Sequence, residues 1–167
     1  GGEWAANMYG GNENLEAVEF FKHLNSIFKK KEPGAVLIAE ESAAWPGVTT
    51  PVEEDGLGFD FKWNTGWTDD LLGYMSLDPI FRGYHHGELT FSMIYAYSED
   101  YMLTFSHDDI VNGKESMIRK LPGRTAQQEA NLRAAYAYMV AHPGKKLLFM
   151  GQEFAQEEDW KAEKELE

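Results

Sequence analysis

Two apolar runs in this chain each end in acids. Ala35–Ala39 (AVLIA) leads into Glu40, Glu41 and Ser42, and Tyr101–Phe105 (YMLTF) leads into Ser106, His107, Asp108 and Asp109. A carboxyl group just beyond a buried strand is partly dry, and that raises its pKa toward general-acid work. Successive strand residues point to opposite faces. At most one of Glu40 and Glu41 therefore faces a common site, and periodicity does not select between them. The competing reading is a pair of solvated loop acids. His107 beside Asp108 reads either as a substrate-binding imidazole next to a carboxylate or as a helix cap followed by a loop. A third tip, after Lys146–Met150 (KLLFM), carries Glu153, in a functional role or a structural pair.

Other chemistries find no matching pattern. His85 and His86 are adjacent and lack the spacing of a metal-binding H-E-x-x-H helix. Ser42 and Ser106 do not sit in a G-x-S-x-G elbow, and no phosphate-binding loop occurs. No metal and no cofactor are expected.

The elements that must position these residues follow from spacing. A helix starts after Asn12 or Asn14, either of which can cap it. Its apolar face is Val18, Phe21, Leu24 and Phe28. Lys29, Lys30 and Lys31 fall in its last turn, where cations suit the helix dipole, and Pro33-Gly34 ends it. Ala35–Ala39 is short and continuously apolar, as a buried parallel strand is. Leu57–Trp63 is the next strand, with Phe59, Phe61 and Trp63 at period two. Thr68 is placed as the cap of a short helix, and Leu89–Tyr97 reads as helical. Tyr101–Phe105 is the third strand. Thr125 to Gln128 fits a capping box at the head of a helix running to about Ala141, and Lys146–Met150 is the fourth strand. Strands alternating with helices indicate an α/β fold with parallel strands. A (β/α)8 barrel needs roughly 250 residues, and acids at the C-terminal ends of its strands are where catalysis sits. Four strands make about half of such a barrel.

Composition narrows the partners. The net charge of −13 opposes a surface that tracks phosphates, so nucleic acid is not expected. There are no cysteines, which excludes disulfides and thiolate metal sites and fits a reducing cytoplasm. No stretch reads as membrane-spanning or as a signal peptide. Aromatic content of 14% suits core building first, and Trp45, Trp63, Trp67 and Trp160 could instead line a sugar groove.

Several segments then carry a resemblance: GGNENLEAVEFF, IAEES, WPGVTTPVEEDGLGFDFKWNTGW, YMSLDPIFRGYHH, LTFSHDDIVNGKESM, NLRAAYAYM and PGKKLLFMGQEFAQEEDW. In order and together, they resemble the bacterial type of 1,4-alpha-glucan branching enzyme, in the alpha-amylase superfamily (glycoside hydrolase family 13). The resemblance implies one incomplete domain over residues 1–167: strands five to eight of the barrel with their helices. It implies Glu40 as general acid/base, Asp108 as the carboxylate that stabilises the transition state, and His107 as a sugar-binding residue at the cleavage subsite. The implied substrate is an alpha-1,4-glucan such as glycogen or amylose. The reaction is retaining, through a glycosyl-enzyme formed on an Asp nucleophile, with transfer to a glucan 6-hydroxyl.

That nucleophile belongs to a G-x-R-x-D-type motif, which does not occur in the chain. The chain is expected to start just after it, near Gly2, Glu3 and Trp4. Its partner would be the missing first half of the barrel, and the chain alone is expected to be inactive and to self-associate through open strand edges. Where the family usually has Glu-Val-Val-His after the His-Asp pair, this chain has Asp109, Ile110, Val111 and Asn112. An amylase-type hydrolase segment and a non-catalytic glucan-binding segment are the alternatives.

Overall fold

The structure is a computed structural model that describes residues 5–109 and 115–166. The expected loop at Gly2–Trp4 and the altered position Asn112 lie outside the described residues. The chain is α/β. It divides into two compact units, with the border between Lys62 and Trp63. Among the described residues no helix is long and apolar enough to cross a membrane.

The first unit opens with helix α1 (Leu15–Lys31). Of the two candidate caps, Asn14 is the one used: its Oδ1 accepts the Ala17 N–H at 3.0 Å. The last-turn lysines fall as expected. The apolar face is less covered than its period implies, because Phe21 and Leu24 are exposed and the fully buried residue is Asn25. Asn25 Nδ2 donates to the Leu57 carbonyl at 2.7 Å, which ties α1 to the chain entering the next strand.

Strand β1 is Ile38–Ala39, two residues of the five-residue apolar run. Strand β2 is Phe61–Trp63, and the two pair in parallel, Ile38 opposite Phe61 and Ala39 opposite Lys62. Both strands are shorter than expected, for identifiable reasons. The Leu57, Gly58 and Phe59 N–H groups donate to Gly47, Thr50 and Val48 carbonyls of the preceding loop instead of a strand partner. Gly58 sits at φ +79°, a left-handed conformation that glycine adopts without penalty and that a strand does not contain. Ahead of β1, the Asp60 carboxylate takes the Leu37 N–H at 2.8 Å and Lys29 at 3.0 Å. The run was expected to be buried. Val36 and Ile38 are instead exposed and Ala39 alone is buried, since among the described residues β1 has a strand partner on one side.

The second unit holds helix α2 (Thr65–Ser76), helix α3 (His86–Phe91), strand β3 (Tyr101–Phe105), helix α4 (Thr125–Ala141) and strand β4 (Lys145–Leu148). Strands β3 and β4 pair in parallel, from Met102 opposite Lys145 to Phe105 opposite Leu148. One more bond, from Phe149 N–H to Phe105 C=O at 3.0 Å, carries the register past β4. The cap of α2 is Asn64, not Thr68. Asn64 Oδ1 accepts the Trp67 N–H at 3.0 Å, while Thr68 lies a turn inside and its buried hydroxyl donates to Thr104 C=O at 2.6 Å. The helix expected over Leu89–Tyr97 begins earlier and tightens into a 3-10 turn at Ser92–Ile94. The box at α4 closes one residue early: Gln127 Oε1 accepts the Arg124 N–H at 2.8 Å. The core of this unit packs Trp67 and Leu71 of α2, Leu103 and Phe105 of β3, and Leu132 and Met139 of α4.

Candidate functional site

The two glutamates at the tip of β1 behave differently. Glu41 is half-buried, and its Oε1 accepts the Ala43 N–H at 2.6 Å. It closes its own turn. Glu40 is exposed, so the partly dry setting expected of a strand-tip acid is not what surrounds it in this chain. Glu40, Glu41 and Trp45 line one side of a cavity of about 360 Å³, whose other walls include Val18, Phe21 and Phe59.

The sequence reading missed the residue that holds this loop. Lys62 is 5% exposed and stands opposite Ala39 in the parallel register. Its Nζ donates to the carbonyls of Ala43 at 2.9 Å and Trp45 at 3.4 Å. A buried ammonium is costly unless hydrogen-bonded. Here the two carbonyls supply acceptors, and the lysine in turn fixes the backbone just beyond the acids. The available signal was a lysine between two aromatics, on the strand face opposite to Phe61 and Trp63. The structure buries that face and leaves Phe61 and Trp63 half-exposed.

The tip of β3, in the second unit, is also divided between roles. Ser106 is buried, while His107 and Asp108 are exposed. His107 Nε2 lies 3.3 Å from Asp108 Oδ1. The imidazole leans on the Phe149 ring at 5.9 Å, which is backed edge-on by Trp160 at 5.1 Å. Asp109 turns back: its Oδ2 accepts the Ser106 N–H at 2.7 Å and the Ser106 hydroxyl at 3.2 Å. The Asp108 N–H donates to Ser106 Oγ at 3.2 Å. Burial pushes the Asp109 carboxyl above the usual range, partly offset by the two Ser106 bonds.

At the tip of β4, Glu153 is exposed. Its neighbour Gln152 is buried. Gln152 accepts the Phe149 N–H on Oε1 at 3.2 Å and the Tyr136 hydroxyl on its carbonyl at 2.6 Å. Burial pushes the Tyr136 phenol up to about 12, and the charge of Glu153 adds to the shift. Of the four tryptophans considered for a sugar groove, Trp67 is 1% exposed and belongs to the core. Trp45, Trp63 and Trp160 are half-buried. His85, set aside as a metal ligand, pairs with Glu88 at 2.6 Å.

Parallel strands with polar and acidic residues just beyond their C-terminal ends are the build of α/β proteins that bind their ligands at that edge. No protein-family model matches the chain. It is 62% identical to the 1,4-alpha-glucan branching enzyme GlgB 2 of Rhizobium etli over 159 residues, 95% of this chain and 22% of the relative. It is 56% identical to the 1,4-alpha-glucan branching enzyme GlgB of Nitratidesulfovibrio vulgaris over 166 residues, 99% of this chain and 26% of the relative. To the enzyme of that name in Pseudomonas syringae pv. syringae the identity is 55% over 166 residues, 99% of this chain and 22% of the relative. The chain is thus a relative of a segment of the bacterial 1,4-alpha-glucan branching enzymes. It spans about a quarter of the length of the curated relatives it matches.

Proposed function

We propose that the chain is the second half of a branching-enzyme catalytic barrel, strands five to eight with their helices, and that it works on an alpha-1,4-glucan. The observation that carries the reading is the placement of Glu40 directly after β1 and of His107 and Asp108 directly after β3. Identity of 55–62% to named branching enzymes along nearly the whole chain supports it.

In this reading Glu40 protonates the glycosidic oxygen as the bond to the anomeric carbon breaks. The nucleophile is an Asp carboxylate from the other half, and it forms the new bond to that carbon. Glu40, now ionised, takes the proton of an incoming glucan 6-hydroxyl, whose oxygen displaces the carboxylate and leaves an alpha-1,6 link. Asp108 accepts hydrogen bonds from sugar hydroxyls and balances the positive charge of the transition state, with His107 beside it as a second sugar contact. The exposure of Glu40, His107 and Asp108 leaves them open to such a substrate. Asp109 and Glu41 are taken up with their own turns. With no cysteine to need an oxidising compartment, the reading places the protein in the cytoplasm.

A covalent mechanism that lacks its nucleophile loses several orders of magnitude in rate, so the chain alone is inactive on this account. The test is a branching assay on amylose with the chain alone and with a first-half segment of a relative.

A further inference from the structure

Glu40 is exposed, yet the loop that follows it is pinned at several points. Glu41 Oε1 accepts the Ala43 N–H at 2.6 Å. Lys62 Nζ donates to the Ala43 carbonyl at 2.9 Å and to the Trp45 carbonyl at 3.4 Å. Ala43 is therefore gripped twice, its N–H by a carboxylate and its C=O by an ammonium. Farther on, the Gly47, Val48 and Thr50 carbonyls accept the Leu57, Phe59 and Gly58 N–H groups.

The lysine is the member of this set that reaches both flanks of Glu40. Its backbone stands in parallel register with Ala39, the residue directly before the acid. Its side chain ties down the turn directly after it. At 5% exposure the ammonium has given up water for these two carbonyls. An ammonium is a donor only, with three N–H bonds to place, so one side chain can bridge both. Trp45 lines the same cavity as Glu40, and the bond to its carbonyl also sets the wall beside the acid.

A general acid has to come within hydrogen-bond reach of the oxygen that it protonates. A displacement of about 1 Å from that geometry costs on the order of a hundredfold in rate. An exposed carboxylate at a strand tip is placed by its backbone, and here the backbone is placed by Lys62. We propose that Lys62 is a positioning residue for the branching reaction. It holds the Ala43 and Trp45 carbonyls so that Glu40 meets the glycosidic oxygen, with Glu41 as the second half of the clamp. The proposal rests on the reading of Glu40 as the general acid.

The test compares two donors in the mixture of the 167-residue chain with a first-half segment. Amylose needs a proton on its leaving oxygen. In α-maltotriosyl fluoride the bond to the anomeric carbon breaks with both electrons leaving on fluoride, while the nucleophile's carboxylate bonds to that carbon. No proton from Glu40 is needed, so the first burst of fluoride reports the rest of the site. Lys62→Met should lower branching on amylose by about a hundredfold and leave the fluoride burst close to that of the parent. Glu40→Gln should show the same pattern. The chain has no cysteine of its own, so Lys62→Cys can be aminoethylated in urea and refolded, which returns an ammonium at lysine length. That chain should recover branching. The proposal is overturned if Lys62→Met slows both donors alike, as general damage to the fold would, or slows neither. It is also overturned if the aminoethylated chain gives the fluoride burst without the branching. In those cases the Glu40 reading stands. A parent mixture that forms no links, or a Glu40→Gln mixture slowed alike on both donors, sinks that reading and the proposal with it.

Discussion

Asp108 and Asp109 are the same residue type side by side, yet the fold gives them different work. The backbone after β3 tightens into a 3-10 turn, which sends Asp108 outward beside His107 and folds Asp109 back onto Ser106. Sequence spacing could mark the tip as acidic but could not divide the acids, because the division depends on where one turn closes. Asp109 gives a pH prediction. Its folded pKa is raised by burial, with Asp69 also raising it and the Ser106 bonds and Lys120 lowering it. A raised acid favours the folded state when protonated. That contribution is fully present below the unfolded value of about 3.9 and is lost as pH rises through the raised folded value. Asp109→Asn keeps an acceptor for Ser106 and removes the charge. It should be more stable than the parent at pH 7 and show a flatter stability profile above pH 4 (about the unfolded Asp value) in urea titrations. Lys62 is the other case that spacing hid. Lys62→Met should cost about 1–3 kcal/mol, through the loss of charge-assisted bonds to the Ala43 and Trp45 carbonyls, seen as a lower urea midpoint. An unchanged midpoint would mean the clamp contributes nothing.

At the scale of elements, long periodic segments were readable and short ones were not. The helix after Asn14, the strand Tyr101–Phe105 and the helix ending at Ala141 lie where period and punctuation put them. The errors share a cause: a local hydrogen bond outcompeted a pattern. The Gly47, Val48 and Thr50 carbonyls claim the start of the predicted strand Leu57–Trp63. Asn64 caps α2 ahead of Thr68, and Arg124 and Gln127 close the α4 turn one residue before the predicted box. None of these leaves a mark in apolar spacing. The junction of α4 with the tip of β4 is held by one such bond, from the Tyr136 hydroxyl to the Gln152 carbonyl. With its pKa raised to about 12, the phenol stays a donor at neutral pH. Tyr136→Phe should cost about 1–2 kcal/mol, the value of a half-buried bond whose acceptor is left unpaired. The loss should be the same at pH 6 and pH 9, and a loss that shrinks toward pH 9 would contradict that assignment.

For the molecule as a whole, the chain matches named branching enzymes over 95–99% of its own length and covers 22–26% of theirs. The two carboxylates proposed as acid/base and stabiliser, Glu40 and Asp108, follow β1 and β3, and a G-x-R-x-D-type motif for the proposed third carboxylate does not occur in the chain. The sequence disclosed the resemblance to branching enzymes through its motifs. It could not disclose the two compact units or the exposure of the apolar run ahead of β1, because both depend on which surfaces find a partner. The account's central claim is that Glu40 and Asp108 are competent and lack only their nucleophile. The direct test is the branching assay on amylose, with new 1,6-links counted by debranching and reducing-end analysis. The chain is run alone, with a first-half segment of a relative, and with that segment after Glu40→Gln. The account predicts links only in the unaltered mixture, with the Glu40→Gln mixture down by about a thousandfold or more. Branching by the chain alone, or a mixture that ignores Glu40→Gln, would contradict it.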